Sequence, residues 1–231
     1  MKISGWQKVT LLDYPEKVAC TIFTNGCNFR CPFCHNPELV IRTNEAPVIP
    51  EEEVLEFLRE RQGKLDGVCI TGGEPLVHQD IAQFMRQIKE LGFLIKLDTN
   101  GSFPERLKAL AKEKLIDYVA IDIKNSKEKY AQTIGVKNFN IKPVEESVEF
   151  LMKGELPYEF RTTLVKEFHT LVDMEKIATW IGGARAYFLQ NFVDSGDLIG
   201  ENLHGLSRDE MWKFYHHIKD SFSLIELRGI N

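Results

Sequence analysis

The feature that most constrains the fold is an alternation of short, almost continuously apolar segments with longer segments of helical periodicity. Seven apolar segments rich in β-branched and aromatic residues are predicted to be strands. Strands that are apolar at nearly every position are typical of a parallel sheet with helices on both faces. The predicted strands span residues 18–23, 67–71, 93–97, 118–123, 158–165, 186–192 and, near the C-terminus, 224–227.

Helices are predicted between these strands. Ile81, Phe84 and Met85, for example, recur at the spacing of one helix face. Six right-handed βα units would curl the sheet into an open, partial (β/α)6 barrel, a TIM-like barrel that lacks two of its eight units. We therefore expect an α/β fold in a single domain over residues 1–231.

The charge balance excludes some classes of partner. The net charge of −5 gives no overall basic character for binding nucleic acid. No apolar run reaches the ~18 residues that would span a bilayer, and the first residues lack a secretory signal. We expect a cytoplasmic protein whose partners are neither nucleic acid nor membrane.

Three of the five cysteines, Cys27, Cys31 and Cys34, fall within eight residues. This clustering favours metal ligation in a reducing compartment over disulfide bonds. Closely spaced thiolates on a loop suit an iron–sulfur cluster, and three ligands would leave one iron with an open position. Two alternatives stay open: a zinc site completed by His35 or Cys20, and a closed electron-transfer cluster with a distant fourth ligand.

Polar residues follow the carboxyl ends of the predicted strands, where parallel βα folds gather their chemistry. Each of these polar residues also fits a structural role that involves no ligand. Segment 98–101 suits a simple turn, and Asp122 and Lys124 could form a satisfied ion pair. Arg161 needs a counter-charge, from that aspartate or from a ligand, and Gln190 could fill a polar layer inside the barrel.

The spacing Cys27-x-x-x-Cys31-x-Phe33-Cys34 resembles the signature of the radical S-adenosylmethionine superfamily. Segment 72–75, Gly-Gly-Glu-Pro, resembles the second motif of that family, which contacts the methionyl amino group of the cofactor. The resemblance implies one [4Fe–4S] cluster, with the three cysteines as catalytic metal ligands. It also implies that S-adenosylmethionine binds the open iron and is cleaved to a 5′-deoxyadenosyl radical.

Within the superfamily, the chain is most similar to the activating proteins of glycyl radical enzymes, in particular that of anaerobic ribonucleoside-triphosphate reductase. The likeness includes segments 13–15 (Asp-Tyr-Pro) and 35–38 (His-Asn-Pro-Glu), whereas Glu16 departs from it because many members have glycine there. The resemblance implies a glycyl radical enzyme as partner and a one-electron donor such as flavodoxin or ferredoxin. In some members a monovalent cation also lies near the cofactor carboxylate.

Two other functions remain open: a small-molecule radical enzyme such as 7-carboxy-7-deazaguanine synthase, and a non-catalytic iron–sulfur electron carrier. Cofactor cleavage would exclude the carrier, and a glycyl radical on a partner would exclude the small-molecule enzyme. Segments 1–15 and 193–205 are expected to border the open side of the barrel. The strand ends and the resemblance together predict that the cofactor contacts Phe33, Gly72, Gly73, Glu74, Asp98, Thr99, Asp122, Lys124, Arg161 and Gln190.

Overall fold

The computed structural model describes residues 1–230, and its centre is an eight-stranded sheet whose strands follow one another in chain order. Strand β1 (Ile3–Thr10) runs antiparallel to β2, and β2 to β8 are mutually parallel. Within the described residues β1 and β8 do not pair, so the sheet stays open. The remaining strands are β2 (Ala19–Thr24), β3 (Gly67–Gly72), β4 (Leu94–Thr99), β5 (Tyr118–Asp122), β6 (Tyr158–Leu164), β7 (Tyr187–Asn191) and β8 (Ile225–Arg228).

Helices connect the parallel strands, and six βα units begin at β2 to β7. Together with the open sheet, these units confirm the predicted α/β fold with a partial (β/α)6 barrel. Among residues 1–230, no helix is both long and apolar enough to cross a membrane. The helices are α1 (Glu51–Glu60), α2 (Ile81–Glu90), α3 (Pro104–Lys112), α4 (Tyr130–Thr133), α5 (Lys142–Lys153), α6 (Leu171–Ile181) and α7 (Arg208–Ile218).

Burial explains why the sequence patterns predict these elements. Helix α2 turns Phe84, Met85 and Ile88 inward, and all three are fully buried. On the strands they cover, residues such as Ile70 and Ile95 are buried as well. The apolar core therefore lies between the sheet and its helices, which leaves the carboxyl ends of the strands available for polar residues.

Two features differ from what the sequence pattern predicts. Strand β1 is not predicted, because its exposed residues Gln7, Lys8 and Val9 interrupt any apolar run. It is an edge strand, and one side of such a strand does not need to be apolar. Trp212, which its helical spacing places in the core, is instead 37% exposed and stacks on His216.

Candidate active site

One cavity lies at the carboxyl ends of the parallel strands. It is walled by the cysteine loop and by residues at the ends of β3, β4, β5 and β6, and it encloses about 900 Å³, partly continuous with solvent. This is the end of the sheet at which the sequence predicts the chemistry. The predicted residues that line it are Cys27, Cys31, Phe33, Cys34, Gly72, Gly73, Asp98, Thr99, Asp122, Lys124 and Arg161.

Hydrogen bonds fix the cysteine loop from within. The Phe29 N–H donates to the Cys27 sulfur at 3.3 Å, and the Cys34 N–H donates to the Cys31 carbonyl at 3.0 Å. The Arg30 guanidinium donates to the carbonyls of Cys27 and Phe29 at 2.6 and 2.7 Å. These bonds hold the three sulfurs on one wall of the cavity.

The chain after β7 holds the same loop from outside. The Gly200 N–H donates to the Pro32 carbonyl at 2.7 Å. The His35 ring stacks on Phe192, and its Nε2 lies 2.8 Å from the Val193 carbonyl oxygen. Segment 193–205 therefore packs directly against the cysteine loop.

Burial and a nearby ammonium group have opposite effects on the ionisation of the three thiols. Burial raises the pKa of Cys27 to about 12 and that of Cys31 to about 11, and it also raises the pKa of Cys34. The nearby Lys124 ammonium acts in the opposite direction on the pKa of all three thiols. Because the thiolate is the ligand form, cluster binding must displace these protons. Three thiols on one cavity wall, beside a backbone donor and an ammonium group, fit a cluster with three protein ligands.

Among the described residues, the structure does not group the ligands that the zinc alternative requires. The ring of His35 contacts the Val193 carbonyl, and Cys20 is fully buried in β2 beside the indole of Trp6. In the part of the chain that the structure describes, no three or more Cys, His, Asp or Glu side chains are grouped to hold a single metal ion.

The glycine pair after β3 joins this strand to the cysteine loop. The Gly73 N–H donates to the Thr24 carbonyl at 2.9 Å, and the Glu74 N–H donates to the Gly26 carbonyl at 2.8 Å. A Cβ atom on Gly73 would lie 2.1 Å from the Gly26 carbonyl oxygen, far inside van der Waals contact. Glycine is therefore required for the close approach of the two backbones that form this wall.

The Glu74 side chain lies behind the cavity wall, although the resemblance implies that it contacts the cofactor. It is fully buried and accepts hydrogen bonds from the Leu76 N–H at 3.0 Å, the Thr99 hydroxyl at 2.7 Å and the Asn100 N–H at 2.6 Å. Burial raises its pKa to about 7, although these three bonds act in the opposite direction. The carboxyl group thus connects the loops that follow β3 and β4.

We predict that Glu74→Gln changes how stability depends on pH. The pKa of Glu74 rises from 4.5 to about 7 on folding, so between these values the folded state holds a proton that the unfolded state has lost. The contribution of Glu74 to stability should therefore fall as the pH rises from 4.5 to 7, by about 3 kcal/mol, and stay constant above. Urea unfolding at closely spaced pH values should show the free energy of unfolding of the wild type falling by this amount relative to that of the variant. Equal pH slopes for the two proteins would mean that Glu74 titrates normally.

A chain of alternating charges crosses the opposite wall. The Arg161 guanidinium donates to Asp98 at 2.9 Å and to Asp122 at 2.8 Å. Lys96 donates to Asp98 at 2.5 Å, and Lys124 donates to Asp122 at 3.1 Å. Arg161 also lies 3.9 Å from the Glu159 carboxylate, which pairs with Arg228 at 3.6 Å. The charges of this wall are therefore paired within a larger network.

The Arg161 guanidinium favours the ionised form of both aspartates. Burial alone would raise the pKa of Asp98 and Asp122, but Arg161, with a lysine beside each carboxylate, holds both pKa values below the usual range. Asp122 and Lys124 therefore form the ion pair that the structural alternative predicts. Both side chains also border the cavity. Because both carboxylates already have counter-charges, a monovalent cation at this position stays a prediction from the resemblance.

The remaining predicted residues lie in different surroundings. Phe33 is buried against Phe168, with the Lys124 ammonium 6.0 Å from its ring centroid. Gln190 is half-buried on β7 and does not line the cavity, so its contact with the cofactor stays a prediction. Lys96 is not predicted, although its signal is a lysine inside an otherwise apolar strand. Thr163, a polar residue on β6, also lines the cavity.

Comparison with known proteins agrees with this site. The model of the radical SAM superfamily matches residues 21–181. A Methanocaldococcus jannaschii protein, provisionally named a glycyl-radical enzyme activating enzyme, is 34% identical over 82% of this chain and 79% of its own length. A 7-carboxy-7-deazaguanine synthase of Thermoplasma acidophilum is 27% identical over 63% of this chain and 66% of its own length.

Solved structures show the same fold at low sequence identity. The structure of Streptococcus suis SuiB bound to S-adenosylmethionine superposes with a TM-score of 0.70 and 16% identity, over 88% of this chain and 48% of SuiB. The family match covers more than half of the chain and includes the cysteine loop, the glycine pair and the charged wall. The chain therefore belongs to the radical SAM superfamily, whose members use a [4Fe–4S] cluster and S-adenosylmethionine.

Proposed function

We propose that this radical SAM enzyme is an activase that installs a glycyl radical on a partner enzyme. One observation carries the proposal: each of the four charged side chains that line the cavity is already paired within its wall. These side chains are Asp98, Asp122, Lys124 and Arg161. A small polar substrate is usually fixed by polar groups reserved for it, whereas a polypeptide loop can bind through its backbone outside the cavity.

The open sheet supports a polypeptide substrate. Strands β1 and β8 leave unpaired edges within the described residues, and the cavity is partly continuous with solvent. A loop from a partner could therefore approach the cavity from outside. The similarity to the provisionally named activating enzyme covers more of this chain than the similarity to the deazaguanine synthase. Segments 13–15 and 35–38 favour anaerobic ribonucleoside-triphosphate reductase as the partner.

We assign roles to the chain's own residues as part of this proposal. Cys27, Cys31 and Cys34 would hold the cluster, and the backbone at Gly72 and Gly73 would form the cradle for the cofactor amino group. Lys124 and Arg161 would face the cofactor carboxylate, and Phe33 would shield the cluster from water. When bound, the cluster and S-adenosylmethionine supply a carbon-centred radical that can remove a hydrogen atom from glycine.

The test is direct detection of the product. Reconstituted protein should be mixed anaerobically with S-adenosylmethionine, dithionite and the anaerobic ribonucleotide reductase of the same organism. We expect a stable glycyl radical in the electron paramagnetic resonance spectrum of the reductase, and no signal when Cys31→Ala protein is used. The matched control is Cys69→Ala, which removes a buried thiol of β3 that does not line the cavity.

The outcomes separate the competing functions. Cofactor cleavage without a radical on any glycyl radical enzyme of the same organism would contradict the activase and favour a small-molecule substrate. A radical on a different glycyl radical enzyme would keep the activase and change only the partner. Absence of any cofactor cleavage by the reduced protein would favour an electron carrier.

A further inference from the structure

A basic surface lies at the cysteine loop, and none of its three side chains lines the cavity. It consists of Arg30, Lys137 and Lys142, which are all exposed. Among residues 1–230, none of the three has a carboxylate within ion-pairing distance. We call these residues the basic surface. It contrasts with the chain as a whole, whose net charge is −5.

Backbone contacts place the basic surface around one end of the cysteine loop. The Arg30 N–H donates to the Ile134 carbonyl at 2.8 Å, and a Cβ atom on Gly135 would lie only 2.3 Å from the Arg30 carbonyl oxygen. Lys137 follows two residues later. Segment 129–142 contains three lysines and no aspartate or glutamate.

Lys142 reaches the same region through the start of α5. A Cβ atom on Gly101 would lie 3.5 Å from the Val144 side chain, so the first turn of α5 packs on the loop that follows β4. That loop in turn accepts a hydrogen bond from the cysteine loop, because the Asn28 amide donates to the Ser102 hydroxyl at 2.9 Å. Segment 129–142 also packs on the cysteine loop directly, because the ring centroids of Phe139 and Phe29 lie 5.2 Å apart. Lys137 and Lys142 lie on either side of Phe139 in the chain.

Acidic side chains near the basic surface are occupied by other partners. Glu145 pairs with Lys127 at 2.5 Å, and Asp173 pairs with Lys129 at 2.7 Å. The charges of the basic surface are therefore not cancelled locally. Arg30 is also held in place, since its Nη1 donates to two backbone carbonyls while Nε and Nη2 have no acceptor in the described part of the chain. A guanidinium fixed in this way can bind a carboxylate with little loss of conformational entropy.

We infer that the basic surface is the docking site of an acidic protein that donates single electrons. Arg30 lies between Cys27 and Cys31 in the chain, so a donor bound there is separated from the proposed cluster ligands by a few backbone atoms. In the transfer the donor loses one electron and the cluster gains one, and no bond or proton has to change place. Charge complementarity of this kind speeds the encounter of two proteins and depends on salt. The inference rests on the proposed cysteine ligands and not on the identity of the radical acceptor.

The experiment reverses the two lysine charges while leaving the cysteine loop intact. Lys137→Glu/Lys142→Glu is compared with Lys112→Glu/Lys213→Glu, which makes the same charge change at exposed positions on α3 and α7. The probe is a purified acidic flavodoxin. Its affinity for each anaerobically reconstituted protein is measured by calorimetry at low and high salt, and the rate of cluster reduction is followed by stopped-flow absorbance.

At low salt, we expect the Lys137→Glu/Lys142→Glu protein to bind reduced flavodoxin about tenfold more weakly than the wild type does. We also expect its cluster to be reduced about tenfold more slowly. The difference should shrink as salt is added. Reduction by dithionite, which needs no docking, should match the wild type in both variants. Iron content equal to that of the wild type shows that the cluster itself is intact.

Two results would overturn the inference. One is flavodoxin affinity and reduction rate that are the same in both double variants. The other is unchanged flavodoxin reduction together with a lower yield of glycyl radical under dithionite, which would assign the basic surface to the radical acceptor instead. Failure of the activase proposal leaves the inference standing, because affinity and cluster reduction are measured without a glycyl radical enzyme.

Discussion

Replacing Cys27, Cys31 or Cys34 by alanine is expected to abolish the iron–sulfur cluster completely. The wild type should hold about four irons and four sulfides per chain after anaerobic reconstitution, because in the described part of the chain one set of clustered thiols faces the cavity. Each single variant leaves two thiols on the wall, too few for a cluster with three protein ligands. Iron and sulfide analysis with visible absorbance measures the loss.

The control for this experiment is Cys69→Ala. Cys69 is as buried as any thiol in the chain, but it lies within β3 and does not line the cavity. The Cys69→Ala protein should therefore keep a full cluster. Circular dichroism should show native helix content in this control and in the three ligand variants. Loss of iron from Cys69→Ala with native folding, or a full cluster in any of the other three, would contradict the ligand assignment.

The second large effect is expected from Arg161→Met. This change leaves the partly buried Asp98 and Asp122 with one lysine each, where the guanidinium now contacts both. Removing one partner from a buried ionic group costs about 3–5 kcal/mol. We expect the low end, about 3 kcal/mol, because each carboxylate keeps a counter-charge. Urea unfolding of the cluster-free protein at neutral pH gives the free energy of unfolding.

The matched control is Arg86→Met, which breaks the ion pair between Arg86 and Glu113. Both side chains of that pair are about half exposed, and surface pairs of this kind contribute about 0–1 kcal/mol. If the two variants lose the same stability, the charged wall does not depend on Arg161. If Arg161→Met alone is strongly destabilised, the wall is a structural network as well as a candidate ligand site.

The sequence predicts the six βα units and the position of the cavity because both depend on local patterns. Apolar runs of strand length identify β2 to β7, and parallel strands bring the residues at their ends together. Strand β1 lacks such a run because it is an edge strand with one solvated side. Its place in the sheet depends on contacts with β2 that no local pattern records.

The direction in which a side chain points is harder to predict than the strand end at which its residue lies. Glu74 follows β3 as expected, but its carboxylate turns behind the wall to three donors, two of which come from the loop after β4. Gln190 and Thr163 lie on neighbouring strands at the same register position, yet only Thr163 lines the cavity. Glu16 occupies a left-handed conformation with φ of 60°, a conformation that suits the glycine expected there from the resemblance.

The outside contacts of the cysteine loop also set an order of events during synthesis. The loop lies near the N-terminus, but the backbone groups that hold it at Arg30, Pro32 and His35 belong to Ile134, Gly200 and Val193. A chain that emerges from the ribosome N-terminus first therefore exposes its three cysteines long before the segments that shape their loop exist. The proposed cluster site is consequently complete only after β7 and the segment after it have been made and folded. Until then the nascent chain presents three thiols on a loop without its final contacts.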